Sequence, residues 1–332
     1  MNHRKILVTG GAGYIGSHAV YLLLNQGHDV TVVDNLSKGY RHNVPPDRLH
    51  VLDLSETGAL TDLMRHRQFD AVIHFAAFIA VGESMREPAR YFINNVGGSL
   101  SLLSAMVQAG VKRMVFSSTA AVYGNPAGSP ILESFPIRAV NPYGESKVMV
   151  EKLLGWFDVI HNLRSVALRY FNASGADPQG QLGEEHEPET HLIPLLFRAV
   201  LSGEPATVFG DDYDTPDGTC IRDYIHVNDL AQAHILAVEY LMAGGSSDQF
   251  NVGIGRGYSV KEVIRAVEEV TGRKVPLVVG GRREGDPPRL VACSDRLRAR
   301  LGWNPSYSDL VEIVRHAWGF ASRRAQAHEA LK

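Results

Sequence analysis

The chain has 332 residues, of which 45% are hydrophobic, and its 33 basic and 36 acidic residues give a net charge of −3. This length is about twice that of one ordinary domain, so it predicts two globular domains. The weak and mixed charge gives no reason to expect nucleic acid or an anionic membrane as a partner, and it favours a small-molecule ligand.

Two further features of the sequence bear on where the protein is located in the cell. No apolar stretch reaches the ~20 residues that a membrane-spanning helix needs, and the first residues lead directly into a strand pattern without a secretory signal. Cys220 and Cys293 are too few for a disulfide framework and lack the CxxC spacing of metal or redox sites. We therefore expect a cytoplasmic protein with reduced cysteines.

The first 170 residues alternate short β-branched runs with helical patterns. Apolar runs without polar alternation indicate strands buried on both faces of a parallel sheet. The segment therefore predicts a doubly wound α/β domain of the Rossmann type. Strands are predicted at 5–10, 29–34, 48–54, 70–77, 113–119 and 164–171, and helices at 14–25, 56–65, 88–108 and 143–160.

The pattern changes near residue 173. The polar loop at 175–190 is long enough to suggest a binding role. We expect a doubly wound domain at 1–172, to which 222–254 returns, and a smaller C-terminal α/β lobe at 173–332 that binds substrate. Beyond the loop we predict a helix from 192, an acidic loop at 210–218, a helix at 227–241, a strand at 249–254, a helix at 260–271, a strand at 275–280 and two closing helices.

A glycine-rich turn follows the first strand. Gly10, Gly13 and Gly16 have a GxxGxxG spacing that opens a helix, and such a turn lets the backbone approach a pyrophosphate. Asp34 ends the second strand 18 residues after Gly16, where a carboxylate binds the adenosine ribose and repels a 2′-phosphate. The pattern predicts a dinucleotide site that favours NAD over NADP, with Lys38 as the one opposing feature.

Two other strand ends supply candidates. Asp53, at the end of the third strand, could meet the adenine amino group or could cap the helix near Glu56. Phe75, Ala76 and Ala77 end the fourth strand, where small residues leave room for a cofactor, although they could equally belong to the core.

Tyr143 and Lys147 lie four residues apart at the start of a predicted helix, on one face, and Thr119 ends the fifth strand. At roughly 6 Å and an effective dielectric near 20, a lysine ammonium favours a phenolate by about 3 kcal/mol, or about two pK units. Oxidised nicotinamide would add a second positive charge. We predict that Tyr143 takes the proton of a sugar hydroxyl, bonded also by Thr119, while hydride leaves the same carbon for NAD. A surface Tyr–Lys pair without chemistry is the alternative.

Several motifs resemble the extended short-chain dehydrogenase/reductase family, and more closely its UDP-glucose 4-epimerases: TGGAGYIGSH, YFINNVGGSL, SSTAAVYG, PYGESK, RYFNASGAD and DGTCIRDYIHVNDLA. The resemblance covers nearly the whole chain. It implies tightly held NAD, oxidation at carbon 4 of a UDP-hexose, turnover of the 4-keto sugar and return of hydride to its other face. It also implies Tyr143 as base, Thr119 as polariser, Lys147 as cofactor anchor, and a homodimer through helices 88–108 and 143–160.

The same resemblance implies two sets of binding residues. The expected NAD contacts are Gly10, Gly13, Tyr14, Ile15, Gly16, Asp34, Asn35, Leu36, Ser37, Lys38, Gly39, Asp53, Leu54, Phe75, Ala76, Ala77, Ile79, Asn94, Tyr143, Lys147 and Phe171. The expected UDP-sugar contacts are Thr119, Tyr143, Asn172, His191, Leu192, Thr207, Val208, Phe209, Arg222, Arg283 and Asp286. Arginines can fork onto phosphate and an aromatic ring can stack on uracil.

Three of these positions have open alternatives. Phe209 could instead end a strand in the core, and Arg222 could instead pair with Asp223 or Asp229. Asn94 could cap or bridge locally within its helix.

Three positions depart from the usual pattern of the family. Ile79 stands where many members have a lysine, His191 stands where an asparagine often contacts substrate, and Leu290 occupies a position associated with the size of the sugar pocket. The segment GEEHEPETH, residues 183–191, contains prolines and lacks HxxxH or HExxH spacing, which favours a solvated loop, so no metal is predicted.

The residues disfavour two other functions and leave a third open. A nucleotide-sugar dehydratase needs an acid beside the hydroxyl residue, and Ala120 and Ala121 follow Thr119 instead. A non-catalytic NAD-binding sensor would have no need of both Tyr143 and Lys147. An epimerase of UDP-pentoses such as UDP-xylose or UDP-arabinose stays open beside the UDP-glucose/UDP-galactose interpretation.

Overall fold

The computed structural model describes residues 3–283 and 286–330. Its strands are β1 (Lys5–Thr9), β2 (Asp29–Asp34), β3 (Leu49–Val51), β4 (Ala71–His74), β5 (Arg113–Thr119), β6 (Arg164–Tyr170), β7 (Asn172–Ser174), β8 (Ala206–Phe209), β9 (Ile221–His226), β10 (Asp248–Val252), β11 (Gly257–Ser259), β12 (Leu277–Gly280) and β13 (Arg289–Leu290). Its α-helices are α1 (Tyr14–Asn25), α2 (Thr57–Arg67), α3 (Val81–Arg86), α4 (Pro88–Tyr91), α5 (Gly98–Ala109), α6 (Pro142–His161), α7 (Leu192–Ser202), α8 (Val227–Met242), α9 (Val260–Thr271), α10 (Asp295–Leu301) and α11 (Leu310–Ala330).

A seven-stranded parallel sheet forms the larger part, in the order β10-β6-β5-β4-β1-β2-β3, which confirms the predicted doubly wound fold. One face is covered by α1 and α8, through residues such as Leu23 and Leu230, and the other by α2, α5 and α6, through residues such as Leu60, Leu102 and Leu154. Burial on both faces explains why these strands are apolar throughout.

The strand order reverses between β1 and β4, because the chain first adds β2 and β3 on one side and then returns to the other. Ligands of open α/β sheets bind in the crevice that forms at the carboxyl ends of the strands at such a reversal. The ends of β1, β4 and β5 therefore mark the expected site.

A second, smaller sheet is built on β9. Strand β9 pairs in parallel with β7 and β13 and antiparallel with β11, while β8 and β12 form a separate parallel pair. Helices α7, α9 and α11 pack around this region through a third core that includes Leu196, Val263 and Val314. The chain from β9 to β10 passes from one sheet to the other. Strand β9 lies in the small sheet, helix α8 packs on the large sheet, and β10 extends the large sheet at its edge.

Several predicted bounds are wrong. The fourth strand ends at His74 and not at residue 77, because the amides of Phe75 and Ala76 both bond to the Thr9 carbonyl, at 2.9 and 3.1 Å, and turn the chain away. The predicted helix 88–108 is α4, a π-helical turn at Phe92–Gly97 and then α5, and the third strand covers three residues only. Helix α3 was not predicted. Among the described residues, no helix is both long and apolar enough to cross a membrane.

Candidate active site

The glycine turn after β1 is possible only with glycine at two positions. Gly10 has a φ of +73°, and a Cβ there would lie 2.5 Å from the amide nitrogen of Ala76. A Cβ on Gly16 would lie 2.2 Å from the Gly10 carbonyl oxygen. The backbone therefore packs closely between α1 and the end of β4. Gly13, the N-cap of α1, makes no side-chain cap, so the first amides of the helix stay available for a pyrophosphate.

Asp34 lies at the end of β2, buried beside this turn. Its carboxylate accepts hydrogen bonds from the amides of Ala12 at 3.0 Å and Leu36 at 2.8 Å, one on each oxygen. Burial raises the pKa of Asp34, and the two amides oppose that rise. Each oxygen keeps a free lone pair, which is the acceptor that a ribose diol requires.

Asp53 joins two loops rather than capping a helix. Its carboxylate accepts bonds from the amide and hydroxyl of Ser55, at 2.9 and 2.6 Å, and from Asn35 Nδ2 at 2.7 Å. These bonds, first from Ser55 and then from Asn35, lower the pKa of Asp53. Because α2 begins at Thr57 with Glu56 as its N-cap, the helix-capping alternative for Asp53 is wrong.

The rest of the predicted cofactor set lies around the same crevice. Ser37 bonds the Asn35 side chain through its amide, and Lys38 donates to the Glu187 carbonyl at 2.8 Å. Tyr14 donates to the Gly175 carbonyl at 2.7 Å. Ile15 packs against the core of the large sheet, Leu54 against α5 and Gly39 against the Ala12 backbone. Phe75 contacts the His234 ring, and Phe171 is buried after β6. Ala76, Ala77 and Ile79 lie in the loop after β4, where Ile79 is 39% exposed.

Asn95 was missed by sequence reasoning. It is buried in the π-helical turn, where its Oδ1 accepts from the Phe78 amide at 2.8 Å and its Nδ2 donates to the Phe78 carbonyl and to Ser146 Oγ, both at 3.0 Å. Asn94 donates to the same Oδ1 at 2.9 Å. Asn95 thus holds the loop after β4 against α6. The Asn-Asn doublet was the only signal that could have pointed to it.

The predicted reacting residues meet at the carboxyl end of β5. Asn141 caps α6 by accepting from the Gly144 amide at 2.8 Å, and a proline occupies the first turn. This start places Tyr143 and Lys147 in the protein interior, 6% and 3% exposed, facing the buried Thr119. Lys147 Nζ donates to the Ser117 carbonyl at 2.8 Å and lies 4.9 Å from the Phe116 ring centroid.

Burial shifts the pKa values of both residues of this pair. Burial raises the pKa of Tyr143 well above its usual range; Tyr170 adds to the rise, and a hydrogen bond with Thr119 opposes it. Burial lowers the pKa of Lys147 to about 7, with Glu151 opposing. Without bound cofactor, burial is thus the largest influence on the pKa of each residue. The lowering of the Tyr143 pKa by Lys147 together with oxidised nicotinamide stays a prediction.

A second group of predicted residues gathers around β9 and β13. Arg222 forms an ion pair with Asp286, whereas Asp223 and Asp229, its predicted alternative partners, accept backbone amides elsewhere. The Arg283 guanidinium lies 4.1 Å from the Phe209 ring centroid. Phe209 is 40% exposed, so it does not belong to the core. The cluster offers cations and an open aromatic face in one place.

The other predicted substrate residues lie on the elements beside this cluster. Asn172 is in β7 opposite Tyr224, Leu192 starts α7, and Leu290 in β13 lies opposite Arg222. In β8, Thr207 is exposed and Val208 is buried. His191 Nδ1 lies 2.5 Å from Glu184 Oε1.

The loop at 183–191 brings four acidic and histidine side chains close together, which the spacing of these residues in the sequence did not predict. Ligand-type atoms of Glu184, His186, Glu189 and His191 all lie within 4.8 Å of one another, a set that fixed helical spacing would not have found. In the structure these groups pair among themselves, with His186 Nδ1 at 3.2 Å and His191 Nδ1 at 2.5 Å from the same Glu184 oxygen.

Comparison with known proteins gives a consistent result. The model of the family described as NAD dependent epimerase/dehydratase matches residues 6–253. The UDP-glucose 4-epimerase of Lacticaseibacillus casei is 49% identical over 317 residues, which cover 95% of this chain and 96% of that protein. The UDP-glucose 4-epimerase of Halalkalibacterium halodurans is 50% identical over 316 residues, 95% of each chain. A crystal structure of the UDP-glucose 4-epimerase from Brucella ovis in complex with NAD is 47% identical, covers 96% of this chain and 98% of its own, and has a TM-score of 0.93.

Proposed function

The chain belongs to the NAD dependent epimerase/dehydratase family, and we propose that it interconverts UDP-glucose and UDP-galactose through a transient 4-keto sugar, with Tyr143 as the base. The chain matches UDP-glucose 4-epimerases along nearly their whole length, and one of these structures contains NAD. These matches support NAD-dependent 4-epimerisation of a UDP-sugar. One observation carries the finer assignment. Tyr143, Lys147 and Thr119 are buried together at the carboxyl edge of β5, beside the end of β4 and two strands from the glycine turn after β1.

The glycine turn, the start of α1 and Asp34 form a cradle that fits NAD. The turn at Gly10 and Gly16 has no space for a side chain, α1 offers free amides for the pyrophosphate, and Asp34 offers two acceptor lone pairs to a ribose. Asp53 lies at the next strand end for the adenine. When bound, NAD supplies a two-electron acceptor that can return the same electrons to the same carbon.

The residues of the chain handle the proton. Tyr143 accepts the proton of the sugar hydroxyl and returns it after the ring has turned over, so the overall reaction needs no external acid. Because burial alone raises the Tyr143 pKa, the phenolate requires positive charge at close range. Lys147, fixed on the Ser117 carbonyl, is the cation that the chain provides, and Thr119 supplies a hydrogen bond that favours the phenolate.

The substrate is held from the smaller sheet. Arg222 and Arg283 are positioned for a diphosphate, since guanidinium groups bind phosphate oxygens in pairs. The exposed face of Phe209 suits stacking on uracil. These contacts involve the nucleotide only, so a UDP-pentose would satisfy them equally and stands as the second candidate.

The test is turnover without added cofactor. Purified protein is incubated with UDP-galactose, and the products are separated by chromatography; UDP-glucose is the expected product, since bound NAD would be recycled. UDP-xylose is run in parallel. Conversion of UDP-xylose alone would replace the hexose assignment by the pentose one, and no turnover of either sugar, with NAD present in the protein, would overturn the function.

Three wider proposals accompany this function. We propose a homodimer that buries the apolar surface of α5, α6 and the π-helical turn, and a mass of twice 36.4 kDa by sedimentation is the expected result. We propose that residues 1–172, joined by α8 and β10, chiefly bind NAD, and that the rest of 173–332, with Arg222 in β9, chiefly binds the UDP-sugar. A cytoplasmic location would agree with the free Cys220 and Cys293.

A further inference from the structure

Helix α6 meets the end of β5 through three residues spaced one turn apart. Tyr143 bonds the Thr119 hydroxyl, and Lys147 donates to the Ser117 carbonyl at 2.8 Å. The third is Glu151, whose Oε1 accepts from Ser118 Oγ at 2.6 Å. Positions i, i+4 and i+8 share one face of a helix, so three consecutive strand residues, 117–119, are each tied to one of these side chains.

Glu151 is itself held from the neighbouring strand. Arg169 lies opposite Ser118 in the register of β5 with β6, and it donates to both Glu151 oxygens, through Nε at 3.0 Å and Nη2 at 2.6 Å. Both side chains are at least 90% buried, with exposed fractions of 10% for Glu151 and 6% for Arg169. Arg169 Nη1 also donates to the Tyr123 hydroxyl at 3.0 Å. Three hydrogen bonds therefore hold the Glu151 carboxylate in place.

The charge of Glu151 is unusual in its setting. A buried ion pair generally gains little net stability, because desolvation offsets the attraction, so packing alone does not account for a carboxylate here. One turn away, Lys147 is desolvated, and its pKa of about 7 leaves its charge dependent on its neighbours. The groups that surround Lys147 are Glu151 and Tyr143 on its own helix, His74 on β4 and the Phe116 ring on β5.

Of the surrounding groups, Glu151 alone can favour the lysine cation. His74 is buried between Thr9 and Ser99, and burial lowers its pKa to about 3, so it stays neutral. Tyr143 is protonated without a ligand. Among the described residues, Glu151 is the one carboxylate that raises the Lys147 pKa.

We propose that Glu151 is a positioning residue for the reaction: held by Arg169, it keeps Lys147 positively charged beside Tyr143 and fixes the 117–119 end of β5 against α6. The proposal rests on the proposed function, in which the cation at Lys147 supports the phenolate of Tyr143. If Glu151 served only to pack α6, its replacement would lower the stability of the protein and would change kcat by the same factor at every pH.

The test is the pH profile of Glu151→Gln, which keeps the shape and the acceptor for Ser118 but removes the charge. A unit charge at roughly 6 Å and an effective dielectric near 20 corresponds to about two pK units. We therefore expect kcat for UDP-galactose within a few-fold of wild type near pH 5.5, and a loss that grows to between about tenfold and a hundredfold near pH 8.5, because the variant's Lys147 loses its proton at lower pH. Glu145→Gln, on the same helix and outside this network, is the matched control and should follow the wild-type profile.

A second variant guards against misfolding. Glu151→Gln leaves Arg169 buried without its partner, so Glu151→Gln with Arg169→Gln removes both charges together. Because the loss of the Arg169 cation partly offsets the loss of the Glu151 charge, the double variant should show a smaller pH-dependent loss in the same direction while recovering the melting temperature. A loss that is equal at every pH, or that disappears with the melting-temperature defect, would overturn the positioning role.

Failure of the proposed function is read separately. The ¹³Cε resonance of Lys147, assigned with Lys147→Arg, is titrated by NMR in the holoprotein and in the Glu151→Gln variant. A lower titration midpoint in the variant supports the charge relation even if the protein turns over neither sugar. An unchanged midpoint rejects it even if the wild type is an active epimerase.

Discussion

At the scale of single residues, Tyr143 illustrates a conflict between burial and chemistry. A general base must be able to ionise near the working pH, yet the surroundings of this phenol favour its neutral form. The site resolves the conflict only when positive charge is brought to it. In the proposed mechanism, the pair Tyr143 and Lys147 therefore becomes reactive only with a dinucleotide beside it.

Removing the phenol oxygen tests this role. Tyr143→Phe keeps the ring and its packing, so the fold and the bound NAD should persist, while kcat for UDP-galactose falls by about 10²–10⁴-fold, the usual contribution of a positioned base. NAD released on denaturation and the melting temperature serve as controls. Turnover within a few-fold of wild type would remove Tyr143 from the mechanism.

Gly16 allows a matched pair of glycine substitutions. In Gly16→Ala the new Cβ would lie 2.2 Å from the Gly10 carbonyl oxygen, so the turn must shift and NAD content should fall sharply. In Gly58→Ala, in α2, the Cβ meets nothing within 4 Å, and the free energy of unfolding should rise by up to about 1 kcal/mol. NAD content is measured by absorbance after denaturation, and stability by urea titration. Normal NAD content in Gly16→Ala would contradict the close-packed cradle.

At the scale of elements, α6 serves two faces at once. One face carries Tyr143, Lys147 and Glu151 into the site, while the opposite side near its end exposes Trp156 at 65% and Val159 at 80%. Ile93 in the π-helical turn is 74% exposed. An apolar surface of this kind on a helix normally marks an interface. The same helix would therefore connect assembly to catalysis.

A charge placed on this surface should break the assembly. Val159→Glu would have to bury a carboxylate in the proposed dimer interface, so we expect sedimentation near 36.4 kDa where the wild type gives twice that mass. Leu201→Glu, at a 44% exposed position on α7, is the control and should leave the mass unchanged. A dimeric Val159→Glu would place the interface elsewhere.

At the scale of the whole molecule, the loop at 175–190 joins the two proposed binding regions. Lys38, in the loop after β2, donates to the Glu187 carbonyl, and His42 lies 3.3 Å from Glu185, which also pairs with Arg324 of α11. The loop ends at His191, the N-cap of α7, next to the proposed UDP-sugar residues. Nucleotide bound at one region is therefore expected to order the contacts of the other.

This connection predicts stabilisation by UDP. A ligand that binds only the folded protein raises the free energy of unfolding by about 2.7 kcal/mol at a hundred times its Kd, which should raise Tm by several degrees. Arg222→Leu should reduce the rise, and Arg256→Gln, outside the cluster, should not; scanning fluorimetry measures both. An equal rise in Arg222→Leu would remove this arginine from the UDP site.

Much of the architecture was predictable because it depends on local pattern. Apolar runs separated by helical periods indicated the parallel sheet, and the glycine spacing after β1 indicated a tight turn at a helix start. The bounds of α1 and α9 were predicted to the residue. The π-helical turn was not, because the sequence around residues 92–97 has ordinary helical periodicity and its extra residue per turn is held by the distant Phe78 and Ser146.

The sequence by itself determined the spacing of the chemistry: a tyrosine and a lysine one helical turn apart, a hydroxyl at a strand end and a carboxylate after the second strand. Tertiary structure alone decided the burial of that tyrosine, the partners of Asp53 and the link from Arg169 through Glu151 to the lysine. Spacing along a helix or strand follows from backbone geometry, which is local. Desolvation and ion pairing depend on which distant groups the fold brings within a few ångströms, and no local pattern encodes them.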